Sequence, residues 1–229
     1  MPTLAKTTLL AAAIVITGTA RAGGPSAGSV DQLEADSNSS PVKLDPIRAG
    51  FLFHRLTKTP VKLDDFGVAF PEVRGARDEF ERRDLLAKVR PDLEEAQRSV
   101  ATAKTFSIRI GAQLADYDFD RKGFPSGIAE GTFVPFDVGG AFGNGPHFAV
   151  SLNNAGNYSI IPMEEAEARK LAAALRRCCA FRQVTLDLMV EPISAETAAL
   201  DGVTRRGTVV ARILSMRVIH DGRQVASLH

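Results

Sequence analysis

The chain has no tryptophan, two tyrosines, two cysteines and four histidines in 229 residues. The cysteines are the neighbours Cys178 and Cys179. Consecutive Cα atoms stand about 3.8 Å apart across a trans peptide, short of an ordinary disulfide span, so no disulfide framework substitutes for a core. His54, His147, His220 and His229 are far apart, and no HExxH, GxSxG or paired-histidine spacing occurs. Local signatures of a metallohydrolase or a nucleophile elbow are therefore missing. Charge of one sign is missing too: 28 basic residues stand against 27 acidic ones. That balance gives no electrostatic basis for binding nucleic acid, and no polybasic segment offers itself to anionic lipid. No apolar run reaches the roughly 20 residues that span hydrocarbon.

What is present begins with an export signature. Lys6 precedes an apolar run over residues 9–16, and Ala20-Arg21-Ala22 supplies an A-x-A cleavage site. The expectation is a signal peptide over 1–22 and a periplasmic or secreted protein, with no transmembrane segment once the signal is removed. Cleavage takes away Lys6 and Arg21 and no acid, so the mature chain stays near neutrality. Residues 23–43 are rich in Gly, Ser, Pro, Asn and Asp and read as a disordered leader. The remainder, 44–229, reads as one α+β domain, long enough for a sizeable core.

The densest signal is Lys104–Phe124, KTFSIRIGAQLADYDFDRKGF. Phe106, Ile108, Ile110, Ala112 and Leu114 alternate with polar residues, the period of a half-buried strand. Helices are expected over 47–56, from Ala76 with a stripe of Leu86, Val89, Leu93, Ala96 and Val100, and from Pro162 with Ala168, Leu171, Ala172, Leu175 and a cysteine. Pro91 should kink the second helix or start another. Segment 62–73 reads as loop. Further strands are expected at 128–136, at 147–152 with a hairpin return through Tyr158 and Ile160, at 184–190 ending at Pro192, and at 208–220. The last strand should turn at Asp221-Gly222 as a type I′ hairpin with Val218 opposite Val225, and Leu214, Met216 and Val218 on one face. Short-turn connections indicate a mainly antiparallel sheet of about six or seven strands with helices packed against it.

Past Leu114 the chain crowds Asp116, Tyr117, Asp118, Asp120 and Arg121 together. The acids occupy the first, third and fifth positions of a calcium-loop pattern, but Arg121 stands where that pattern needs Gly and Gly127 where it needs Glu. No metal and no cofactor are expected. The loop Gly139–Gly145 lacks both the GxGxxG spacing and the Lys-Ser/Thr ending of a phosphate loop, and reads as a sheet connection.

The segments ARDEFERRDLLAKVRPDLEEAQ and KTFSIRIGAQLADYDFDRKGFP resemble an uncharacterised, domain-of-unknown-function family of exported bacterial proteins, in which a helix with an acid-Glu-Phe motif precedes a strand ending Tyr-Asp-Phe. The resemblance implies an exported α+β protein and no reaction. The leading functional expectation is a non-enzymatic domain that binds an envelope protein or a small ligand through the region of Asp116, Tyr117, Asp118, Asp120, Arg121 and His147. The alternative is a small exported hydrolase using Asp116, Asp118 or Asp120 with His147 as base, because carboxylates and an imidazole gathered in a cleft can move protons.

Overall fold

Asp45 opens the first helix, its carboxylate accepting the Arg48 amide at 2.8 Å, and Pro46 behind it supplies a pre-set helical φ. In the computed structural model, which describes residues 40–139, 145–178, 182–199 and 205–229, this helix is α1 (Pro46–Thr57). It follows a two-residue strand β1 (Val42–Lys43). The strand thus reaches into the stretch read as leader, where its one apolar residue was too little to show a period. The expected signal peptide lies outside the described residues. So do residues 140–144 of the glycine-rich loop and Cys179, and with them the Cys178 side chain.

A 3₁₀ turn (Leu63–Ala69) and α2 (Pro71–Arg74) replace the expected loop, organised by Phe66, which is buried against the Phe51 ring at 4.6 Å between centroids. The helix α3 (Glu79–Thr102) begins at the cap Asp78 and buries Val89, Leu93, Ala96 and Val100. It runs through Pro91 without dividing. Pro91 and Ala87, whose carbonyl loses its partner, both face solvent, where water can satisfy that carbonyl.

The strand β2 (Phe106–Gln113) alternates as expected, with Phe106, Ile108 and Ile110 buried. After it come β3 (Gly123–Pro125), β4 (Phe133–Asp137), β5 (His147–Leu152), β6 (Ile160–Pro162), α4 (Glu165–Cys178), β7 (Gln183–Ala199), β8 (Arg205–His220) and β9 (Arg223–Leu228). Seven strands form one sheet in the order β1-β2-β7-β8-β5-β4, with β9 also on β8. The fold is α+β with a seven-stranded sheet, as expected, but the sheet is mixed. β1 lies parallel to β2 and β5 parallel to β8. The reason is topological: α1 and α3 intervene between β1 and β2, and α4 with β7 between β5 and β8, so the chain returns in the same direction.

Other differences have local causes. β6 pairs with β3 in a separate two-stranded sheet, not with β5, and Pro162 ends β6, so α4 starts at Glu165. β7 continues past Pro192 because β2 makes its last rung at Phe106 opposite Val190. Beyond that rung β7 is an edge, where a missing N–H costs no ladder bond. Bulges at Leu214 and Ile193 shift the β7–β8 register. The first moves burial from Val209, Ala211 and Ile213 to Met216 and Val218, taking Leu214 off the shared face. Asp221 and Gly222 both have positive φ, 47° and 74°, as a type I′ turn requires. A further bulge at Val225 sets Val218 opposite Ala226.

Candidate functional site

The charged exit of β2 is a tight hairpin. Asp118 and Gly123 exchange backbone hydrogen bonds at 2.8 and 3.1 Å. The Asp118 carboxylate turns back on its own loop and accepts the amides of Asp120 at 3.0 Å and Arg121 at 2.9 Å, an Asx turn. Lys122 takes a positive φ of 50° to close it. Only glycine fits at 123, because a Cβ there would meet the Ile161 carbonyl at 2.5 Å. Asp116 is 97% exposed and pairs with Arg182. Arg121 reaches Ser159 Oγ at 3.1 Å. The three aspartates do not converge, and among the described residues no three His, Cys, Asp or Glu side chains gather closely enough to hold a metal ion.

His147 stands elsewhere. It lies on β5 with Nδ1 2.9 Å from Asp137 Oδ1 across the β4–β5 pair. The carboxylate that engages this imidazole is therefore Asp137, not Asp116, Asp118 or Asp120.

Tyr117 leads to a different place. Its half-buried ring packs edge-on against Phe119 and Phe124, and its hydroxyl donates to the Met163 carbonyl at 2.8 Å. The Met163 amide donates in turn to the Lys122 carbonyl at 3.1 Å. The hairpin thus holds the β6–α4 junction from both sides. Desolvation raises the Tyr117 pKa above its ordinary value, and the carboxylates of Glu164, Glu165 and Asp118 add to the rise.

Beyond Met163 lies an open groove of about 580 Å³ between α4 and β9, within the size range of ligand sites. Met163, Leu171, Ala174 and Val225 give it an apolar floor, and Glu164, Glu167 and Lys170 give it a charged wall along α4. The edge of β9 forms the facing wall. His220 closes one end with only 8% of its surface exposed, and its Nε2 is buried without a hydrogen-bond partner. The Asp221 carboxylate stands 3.5 Å away, within ion-pair reach of a protonated ring. Buried polar groups are nearly always hydrogen-bonded, and Arg182 Nε, Thr208 Oγ1 and His220 Nε2 are the described exceptions; of the three residues His220 alone lines this groove. The sequence reading missed His220 and the groove. A signal existed in β8, where Met216, Val218 and His220 fall on the buried side of one alternation; nothing local announced that α4 would stand opposite.

Residues 72–172 match the model of a family described as a domain of unknown function, DUF4852. Both segments that carried the resemblance fall inside that span. No curated protein and no solved structure matches the chain. The matched span contains the charged hairpin and the α4 wall through Ala172, but not β7, β8 or β9. In this fold β2 lies between β1 and β7, and β5 between β4 and β8, so the two are joined into one sheet only through strands beyond the match. Among the described residues no helix is long and apolar enough to cross a membrane.

Proposed function

We propose that this protein is a non-enzymatic binding domain, exported to the periplasm or cell envelope of a bacterium, that holds a partner in the groove between α4 and β9. The observation that carries the reading is the buried Nε2 of His220, which makes no hydrogen bond and has the Asp221 carboxylate 3.5 Å away, at the end of an open groove with an apolar floor. Export is supported by Lys6, the short apolar run and Ala20-Arg21-Ala22. The region of Asp116, Tyr117, Asp118, Asp120 and Arg121 serves this site by holding Met163, through the Tyr117 hydroxyl and the neighbouring Lys122 carbonyl. The hydrolase alternative has less support: Asp118 is occupied in its own turn, Asp116 pairs with Arg182, and the imidazole of His147 is held by Asp137.

The test is a photo-cross-linking residue placed at Gln224, in the groove, and at Glu79, away from it, in cells that express the full chain. A discrete adduct from position 224 alone, in the periplasmic fraction and on a chain of the mass expected after loss of residues 1–22, is the expected result. Equal adducts from both positions, or none from 224, contradict a groove partner, and a chain still carrying Lys6 contradicts export.

A further inference from the structure

Every strand edge left open in this fold is a place where another chain could add, and natural sheets blunt such edges with proline, brevity or charge. Here the devices are visible strand by strand. β3 carries Pro125, β4 Pro135, β6 Pro162 and the outer half of β7 Pro192. β1 is two residues long. The outer side of β2 beyond Ser107 has Arg109, Gly111 and Gln113 exposed on one face. β9, RQVASL, has no proline and carries only Arg223, at its start, as a charge; among the described residues it pairs only with β8. It is also the edge that borders the groove, where the apolar floor lies beside it and Glu164 and Glu167 stand across from it.

We propose that the partner enters as an extended polypeptide segment that adds to the free edge of β9 as a further strand, with apolar side chains on the Met163–Leu171 floor and basic side chains toward Glu164. This rests on the groove being the binding site, and deepens that reading by naming the occupant. Strand addition answers to what the groove offers. The outward backbone groups of β9 gain hydrogen-bond partners, the alternate side chains of an incoming strand fall to floor and mouth in turn, and the segment can supply His220 Nε2 with the hydrogen bond it lacks. The preference for basic residues comes from charge. Glu167 is answered by Lys170 at 2.8 Å and Glu165 by Arg169, whereas Glu164 is exposed and, among the described residues, has no such cation. Its carboxylate, with those of Glu165 and Asp118, already bears on the Tyr117 hydroxyl.

The probe is a fluorescent, end-capped octapeptide of alternating lysine and valine, titrated against the mature chain and read by anisotropy. The glutamate-valine analogue should bind at least about fivefold more weakly, and Glu164→Lys should erase most of that difference, since one rim charge pair is worth about 1 kcal/mol at most. Two further peptides carry N-methyl groups on alternate amides, one series on lysine and the other on valine. Only one set of amides can face β9, so one series should lose about tenfold or more in affinity while the other binds as before. Equal binding by both series overturns strand addition and leaves the groove reading intact. Binding unchanged by Ala174→Trp, which fills the groove, overturns both. No binding by any of the peptides overturns the proposed peptide class. Sedimentation showing that the chain pairs with itself through β9 overturns it in favour of a second copy.

Discussion

His147 Nδ1 lies 2.9 Å from Asp137 Oδ1, and the two residues face each other on one rung between β4 and β5. The side chains are 23% and 10% exposed, so this is a largely sheltered hydrogen bond that ties the end of a hairpin. A double-mutant cycle separates this role from the alternative pairing. His147→Ala and Asp137→Ala should show a coupling of about 0.5–1.5 kcal/mol, while His147→Ala and Asp118→Ala should add to within about 0.5 kcal/mol. Coupling to Asp118 in place of Asp137 would revive an acid–base pair at the hairpin.

Ile110 and Asp118 sit at opposite extremes of sensitivity. Ile110 is 2% exposed and opposite Leu186. Ile110→Asp would bury an unpaired carboxylate at a cost of several kcal/mol, comparable with the ~5–15 kcal/mol that holds a domain folded. No cooperative thermal unfolding is expected of that variant. Asp118→Asn keeps an oxygen for the amides of Asp120 and Arg121 and should shift stability by less than about 0.5 kcal/mol. Asp118→Ala removes the acceptor and should cost about 1 kcal/mol. A wild-type melt for Ile110→Asp would refute the strand's place in the core.

These contrasts mark what the sequence disclosed and what it withheld. The β2 alternation, the stripe of α3 and the Asp221-Gly222 turn were legible because each is fixed by neighbours a few residues away. The mixed sheet was not, because the direction of β5 against β8 depends on how α4 and β7 travel between them. Pro192 looked like a strand end, and would be one in a central strand; only the end of β2 at Phe106 makes it an edge position. The bulges at Leu214 and Val225 left no signature, since their flanking residues alternate acceptably in either register. The Asp116–Arg121 cluster drew attention by its charge, yet its clearest structural contribution is made by Tyr117 through a backbone carbonyl. The groove needed α4 and β9 placed side by side, and His220 was hidden as one more member of an alternation.

Pro91 lies in the interior of α3 with solvent around it. Pro91→Ala restores an amide donor to the Ala87 carbonyl and should raise stability by about 1–3 kcal/mol. Chemical denaturation with an unchanged slope checks this. A loss of stability would mean that α3 depends on the bend a proline imposes.

His54 makes stability depend on pH. Burial lowers its pKa from 6.5, and Asp65 offsets this only in part. Its ring packs near Phe53, Phe66 and Phe148, and Nδ1 meets Thr59 Oγ1 at 2.8 Å. In the window below 6.5 and above the folded value, the unfolded chain binds a proton that the folded chain refuses. Stability should therefore fall as pH drops through that window and level off below it. Melts from pH 8 to 5 should show a shallower acid-side decline for His54→Gln than for wild type. Identical slopes would mean that His54 titrates alike in both states.

The central claim is that the groove between α4 and β9 is where this protein meets its partner, and filling it is the most direct trial. Ala174 is half-buried on the groove side of α4, so Ala174→Trp should occupy the floor while leaving the buried stripe of Ala168, Leu171 and Leu175 in place. The measurement is cross-linking from Gln224 in the Ala174→Trp chain, read beside its thermal melt. The account predicts an unchanged cooperative melt with the adduct lost; an adduct of wild-type yield on a folded Ala174→Trp chain would contradict it.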